Sequence, residues 1–345
     1  MKRIILSAAA LMFGAVALGQ TNDSNVTQTG TDHVATVTQA GTTNDSDVVQ
    51  NGASNQALVE QLGASNISLV DQADGDLGEN ANSEASVFQD GSGNDSDVLQ
   101  RGDDQIALIV QVGTGNMSAT EQYGSSNYAD VDQNGTGNDS YIFQSGSAGN
   151  IEPNNEAYVF QDGTSNDADT YQQGETNISR INQVGTLNTA LTYQGRFFGG
   201  SVENNESYVN QNGDGNTSDV YQLDQIGGMD NLSTVDQSGA DHYSFVQQEA
   251  SGNTADIDQL GANNESFSYQ IGVDNTSVVF QDGQGNTSLV RQGTFGPLGF
   301  SDGSESSVSQ LGDFNTSDVR QYGNNHISSV SQNGAGNTAT VTQNN

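Results

Sequence analysis

An eleven-residue unit, N-x-[SA]-x-[VI]-x-Q-x-G-x-x, recurs from Asn22 to the end of the chain, and any fold it adopts must repeat with it. There are 27 copies, and position 7 is Gln in all of them, from Gln28 to Gln343. Position 1 is Asn in 21 copies, position 5 is Val or Ile in 23, and position 9 is Gly in 21. Position 3 is only ever Ser or Ala, whereas positions 2, 4 and 6 vary freely. Fixed residues alternating with free ones are the mark of a strand with one buried face. The Gly-containing tail then reads as a turn, with Gly30, Gly41, Gly52, Gly63, Gly323 and Gly334 as its residues. An 11-residue period also suits a right-handed coiled coil, but Asn, Ser, Val and Gly at fixed places argue against helix.

Spacing and parity set the next level. Extra residues interrupt the repeat after the copies starting at Asn66, Asn138, Asn188, Asn216 and Asn286, which are all odd-numbered. Insertions therefore fall near 73–82, 146–154, 195–204, 223–230 and 294–303, and both prolines, Pro153 and Pro297, lie in them. The first twelve copies also alternate Ser and Ala at position 3. Both signals have a 22-residue period, so the unit of structure is two strands and two turns, with the insertions on one edge. The expectation is an all-β solenoid of about 13.5 such rungs, two facing parallel sheets in a cross-β stack.

Stacking at about 4.8 Å puts like on like. Inside lie an Asn column, a Ser/Ala column, a Val/Ile column and a Gln column, with small position-3 side chains letting the sheets approach closely. A lone buried amide left unpaired costs roughly 1–3 kcal/mol. In a column each amide donates to one rung and accepts from the other, so inward Gln is tolerable because it is repeated. The ladder residues are Gln28, Gln39, Gln50, Gln61, Gln72, Gln321, Gln332 and Gln343, with Asn22, Asn44, Asn55, Asn66, Asn315 and Asn337. The outermost rungs lack that pairing. The first copy begins close to the expected leader cleavage point and the last runs to Asn345, so uncapped ends and head-to-tail growth of an amyloid-like fibre are expected.

Outside, positions 2 and 4 of successive odd copies read Asp45/Asp47, Ile67/Leu69, Asp95/Asp97, Met117/Ala119, Asp139/Tyr141, Asp167/Asp169 and Thr189/Leu191. Acidic pairs are mostly separated by an apolar rung, which limits like-charge stacking. Position 6 carries Phe88, Leu99, Phe143, Phe160, Tyr171, Tyr193, Tyr221, Tyr269 and Phe280, read as a stacked aromatic surface stripe.

The chain is only 32% hydrophobic with a net charge of −36, values that suggest disorder in an aperiodic sequence. The repeat overrides that reading. MKRIILSAAALMFGAVALG has the charged, apolar and small-residue parts of a secretory signal, so residues 1–19 are expected to be cleaved and 20–345 to form one repeat domain. Removing Lys2 and Arg3 leaves five Arg against 43 carboxylates, a charge that disfavours binding to nucleic acid or anionic membrane. No second hydrophobic segment is present for membrane insertion, and there is no Cys for disulfides.

The doubled unit resembles the curlin repeat of bacterial curli subunits, S-x5-Q-x-G-x2-N-x-A-x3-Q. Starting at Asn44, which stands where the family has Ser, the match runs through Gln50, Gly52, Asn55, Ala57 and Gln61. The resemblance spans Asn22 to Asn345 and implies a secreted, extracellular functional amyloid of a biofilm matrix at the bacterial surface, used in adhesion and aggregation. It implies self-association into a homopolymer, a nucleating minor subunit, an outer-membrane secretion pore and a periplasmic chaperone as partners, and the inward Gln and Asn as polymerisation residues. Length and regularity favour the major, fibre-forming subunit.

Other functions find less support. His33, His242 and His326 all replace Asn at position 1 and read as ladder substitutes, without metal-site spacing. No arrangement of carboxylates suggests catalysis, no cofactor or metal site is expected, and the calcium-binding nonapeptide pattern is absent, although surface Asp can bind cations loosely. N-x-[ST] matches such as Asn44-Asp45-Ser46 follow from the ladder residues. The segments Gly195–Asn204 and Thr294–Gly303 are where a specific contact would be grafted. The alternative class is a monomeric or surface-attached β-solenoid adhesin or ice-binding protein, for which Thr36/Thr38 and Thr340/Thr342 offer only isolated pieces of a Thr array.

Overall fold

A computed structural model describes residues 21–72, 81–146, 153–196, 203–224, 229–293 and 302–344. The expected leader, 1–19, lies outside the described residues, as do half of the insertion 223–230 and most of each of the others. Among those described, each of the 27 copies forms one strand, numbered in chain order from β1 (Asp23–Thr31) and β2 (Val34–Thr42) to β26 (Ile327–Asn333) and β27 (Thr338–Asn344). The odd-numbered strands form a 14-stranded sheet and the even-numbered ones a 13-stranded sheet. Every pairing is parallel and joins strands two apart in sequence, so two copies make one rung and the stack has thirteen and a half rungs. The expected all-β solenoid of two parallel sheets is the observed fold.

Register follows the repeat position for position: Ser24 faces Ser46, Val26 faces Val48 and Gln28 faces Gln50. Insertions do not disturb it. Gln133 pairs with Gln161 and Tyr128 with Glu156 although 28 residues rather than 22 separate them. A looped-out edge leaves the inward row intact, because only the turn absorbs the added chain.

The core is a single row per sheet. Val48, Val70, Val98, Ile142 and Val220 are at most 1% exposed, flanked by fully buried Ala such as Ala107 and Ala129. Position 5 of one copy lies opposite position 3 of the next: Thr170 Oγ1 is 3.1 Å from Ser179 Oγ, and Thr192 Oγ1 is 3.2 Å from Ser207 Oγ. A branched residue against a small one lets the two sheets meet with both side chains buried. In those two copies, where Thr replaces Val, a Ser stands opposite and the hydroxyls are bonded.

The strands run further than a seven-residue row. Strand β2 and the segment Ile106–Thr114 span nine residues, whereas Thr316–Tyr322 spans seven. Gly30, Gly41, Gly52 and Gly63 therefore sit inside strand ends, in register with one another, rather than in the turn proper; Gly323 and Gly334 follow strand ends. Stacked bends of identical shape keep hydrogen-bonding to each other, which carries the ladder past the glycine. The tight reversal comes two residues later, at position 11, where Asp32, Thr43, Ser54 and Ser65 hold φ between 56 and 58°. Small polar residues and Gly, which dominate this position, are those that tolerate the left-handed region. That composition was the available signal for a position the repeat formula leaves as x.

Candidate assembly ladders

Between the terminal rungs, the Gln column uses both hydrogens of each amide. One donates to the Gln Oε1 of the next rung: Gln28 to Gln50 at 2.7 Å, Gln50 to Gln72 at 2.9 Å, Gln39 to Gln61 at 2.8 Å and Gln321 to Gln343 at 2.9 Å. The other crosses the interior to the position-2 carbonyl of the preceding copy. Gln39 reaches Asp23 O at 2.7 Å, Gln61 reaches Asp45 O at 2.9 Å, Gln72 reaches Gln56 O at 3.0 Å and Gln332 reaches Thr316 O at 2.9 Å. The column thus ties each sheet to itself and to its opposite. It passes the insertions unbroken, as Gln72 to Gln100 at 2.8 Å demonstrates. Gln50, Gln61, Gln72 and Gln321 have no exposed surface, while Gln28, Gln39 and Gln343, in terminal rungs, are half-buried.

The Asn column works differently. Its Oδ1 accepts the backbone N–H of the position-1 residue one rung on: Asn44 to Asn22, Asn66 to Asn44 and Asn337 to Asn315, each at 3.1 Å; Ser83 N donates to Asn55 Oδ1 at the same distance. Its Nδ2 donates back to the carbonyl four residues earlier and forward to a glycine carbonyl. Asn44 bonds Ala40 O and Gly63 O, both at 3.3 Å, and Asn315 bonds Gly334 O at 2.9 Å. Each Asn therefore closes the turn that enters its strand. The same glycine carbonyl explains the glycine column. Gly41 has φ +118°, and a Cβ there would fall 1.7 Å from Gly63 O; at Gly30 the distance to Gly52 O would be 1.9 Å.

The histidines take the Asn role. His242 is 1% exposed; its Nδ1 accepts Asn264 N–H at 3.3 Å and its Nε2 lies 3.2 Å from Ser238 O. Nδ1 thus replaces Oδ1, and Nε2–H replaces the amide donor. His33 repeats this with Asn55 N at 3.3 Å and Thr29 O at 3.1 Å, and His326 Nε2 lies 3.0 Å from Tyr322 O. Burial holds the His242 pKa below its ordinary 6.5. Ser304 fills the acceptor role with Oγ, 3.3 Å from His326 N. Gln105 does not: its Nε2 bonds Arg101 O and Gly124 O at 2.9 and 2.7 Å, but its buried Oε1 has no partner among the described residues.

These directional bonds make the two ends of the stack unlike. Among the described residues Gln28 and Gln39 have no Gln donating to Oε1, and Gln332 and Gln343 have no Gln accepting from Nε2. In the Gln column one face presents acceptors and the other donors, while the Asn column runs the opposite way, its Oδ1 accepting from the following rung.

Outside, the acidic pairs alternate with apolar rungs at first, Asp45 on Ile67 and Ile67 on Asp95. Then Asp139 stacks directly on Asp167, and partial burial followed by the nearby Asp167 and Asp139 charges pushes Asp169 up to about 6. The aromatic residues do not form one stripe. Phe88, Phe160 and Phe280 face out from the even sheet, while the odd sheet carries a row from Tyr123 and Phe143 through Tyr171, Tyr193, Tyr221 and Phe245 to Tyr269, with centroids 5.2–6.4 Å apart. The parity of the copy divides them, and Phe245, from position 4, bridges the rung where Gln247 holds position 6. On the even face Arg180 lies 4.8 and 5.6 Å from the ring centroids of Tyr158 and Tyr208.

Among the described residues no three His, Cys, Asp or Glu gather as metal ligands, and no helix is long and apolar enough to cross a membrane. The family model described as the curlin associated repeat matches residues 124–152, 228–261, 302–334 and 312–344. No match was found among curated proteins.

Proposed function

The chain belongs with the curlin-repeat proteins, and we propose that it is a secreted structural subunit that assembles head to tail into curli-like amyloid fibres outside the cell. The observation that carries this is the chemical asymmetry of the two end faces. Gln332 and Gln343 point amide donors along the stack, and Gln28 and Gln39 offer the acceptors a further rung would use. A surface that binds its own opposite end continues without closing. The inward amides named above are then the polymerisation residues, and the edges of β1, β2, β26 and β27 the interfaces.

The finer points extend the same reading. Residues 1–19 act as the export leader, the acidic exterior slows association until salt screens it, and the fibre serves as a major matrix component in adhesion and aggregation. Nucleating subunit, secretion pore and chaperone come from the family likeness. The role is structural rather than catalytic.

The test is direct. Residues 20–345, purified unfolded and placed in buffer with salt, should convert to thioflavin-positive fibres with a meridional spacing near 4.8 Å. A folded chain that stays monomeric at high concentration overturns the proposal in favour of a solenoid adhesin.

A further inference from the structure

The way one copy sits on the next follows from the end faces, granted the head-to-tail reading above. Within a rung the two copies are equivalent. Every Gln reaches back to the position-2 carbonyl of the copy before it, whether it lies on an odd strand (Gln50 to Val34 O, 3.1 Å) or an even one (Gln61 to Asp45 O, 2.9 Å). A half-turn about the stack axis with a rise of half a rung therefore carries one sheet's bonding pattern onto the other's.

The end faces of the described stack are stepped. Strands β1 and β27 both belong to the 14-stranded sheet, and β2 and β26 to the 13-stranded one, so the same sheet projects at both ends. If copies stacked without rotation, β1 of the incoming copy would meet β27. Its β2 would then face β26 across two strand spacings, about 9.6 Å, far beyond hydrogen-bond reach. One strand's worth of ladder would be missing from one sheet at every junction.

We propose that successive copies are related by a half-turn, with β1 of the incoming copy paired to β26 and its β2 paired to β27. In that seat the incoming Gln28 accepts from Gln332 and donates to the Thr338 carbonyl, and the incoming Gln39 accepts from Gln343. These are the bonds that interior copies make, as Gln61 does with Gln39 and Asp45. No column is interrupted in either sheet. The two outer faces consequently exchange at each junction, and the aromatic row from Phe143 to Tyr269 lies on alternate sides along the filament.

The chain has no cysteine, which makes the junction easy to probe. Thr27, Ser331 and Thr342 all hold position 6 and are exposed. Within one copy, residue 27 stands roughly 60 Å from the other two at about 4.8 Å per rung, so any disulfide between them joins two copies. Neighbouring parallel strands place Cα atoms within the range a disulfide spans. Fibres of the T27C/S331C chain, oxidised after assembly, should run as covalent multimers on a non-reducing gel, and those of T27C/T342C as monomers. Cross-linking through 27 and 342 overturns the half-turn while keeping the fibre; fibres linked through neither pair also overturn it. A parent chain that forms no fibres brings down the head-to-tail reading itself. Electron cryomicroscopy of unsubstituted fibres gives an independent reading. It should find neighbouring copies rotated by 180° beyond the ordinary twist, with an axial rise of about 65 Å for thirteen and a half strand spacings; copies in one orientation overturn the proposal.

Discussion

The two amide columns stand at opposite ends of the inward row, and they differ in what they tolerate. All 27 copies keep Gln at position 7, whereas position 1 admits His, Ser and Gln besides Asn. The bonds account for this. A position-7 side chain must offer two donors and one acceptor in three directions at full side-chain length, and no other neutral residue does so. A position-1 side chain must above all present an acceptor to the N–H one rung on, which the ring nitrogen of His242 or the hydroxyl of Ser304 also supplies. Fixity in this repeat therefore follows how few side chains can supply the bonds required, not burial or bond number, since both columns are equally buried and Asn44 and Asn116 also make two donations and one acceptance.

The sharpest way to break that contrast is one carboxylate in the Gln column. Gln183 accepts from Gln161 at 2.9 Å and donates to Gln211 at 2.9 Å and to Asp167 O at 2.8 Å. Gln183→Glu sets oxygen against both acceptors and buries an unpaired charge, a loss of about 3–5 kcal/mol. It should abolish exchange protection around residues 161–211 at neutral pH. Burial raises the carboxyl pKa in the folded chain, so the loss is complete above that raised value and eases as pH falls below it toward the unfolded value near 4.3. Gln183→Ala, with no charge, should lose stability independently of pH.

The next largest effect belongs to the Asn column. His242 can serve only as the neutral ring, because protonation turns its Nδ1 acceptor into a donor facing Asn264 N–H. Its folded pKa lies below the ordinary 6.5, so the stability it contributes is complete above 6.5 and is lost as pH falls from there toward the depressed value. Asn264 amide exchange should accelerate below pH 6 by an amount corresponding to about 1–3 kcal/mol. His242→Asn should remove the acid sensitivity at this rung, and an unchanged profile would mean the ring is not the acceptor.

Much of this was legible in the repeat. Alternation of free and fixed positions gave strands, the parity of the insertions gave two strands per rung, and the invariance of Gln gave an inward ladder. The cross-sheet bond from each Gln to the carbonyl of the preceding copy was not legible, because a backbone acceptor leaves no mark on composition. The direction of the ladder, and hence the unlike end faces, also leaves no mark on composition, because Gln carries donor and acceptor alike. Position 11 did carry a signal, yet Leu187 and Phe314 hold the same left-handed turn at φ 57 and 56° despite their bulk, which blurred it. Position 6 followed along the chain does not trace one aromatic stripe, because stacking joins alternate copies.

Gln105 offers a smaller test, in the stabilising direction. It occupies position 1 with one methylene too many, and its Oε1 is buried without a partner among the described residues. Gln105→Asn should restore the acceptor that Asn94 gives to Asn116 N–H at 3.1 Å. A gain of about 1 kcal/mol is expected, read as a higher guanidinium midpoint for dissolving the fibres. No gain would mean that the column needs its donors more than its acceptor.

The smallest effects lie between the two columns, at position 3, where only size matters to the ladders. In the odd sheet Ser46, Ser68 and Ser96 have buried hydroxyls with no partner among the described residues, whereas Ser244 donates to Ser218 at 3.0 Å. Removing an unpaired buried hydroxyl relieves a desolvation cost, and removing a bonded one loses a hydrogen bond. Ser68→Ala should therefore leave the guanidinium midpoint unchanged or raise it, by no more than about 0.5 kcal/mol, and Ser244→Ala should lower it by about 1 kcal/mol. Equal losses in both would show that the hydroxyls of Ser46, Ser68 and Ser96 bond along the stack as a third polar column, and that the division of labour between Gln and Asn leaves out a participant.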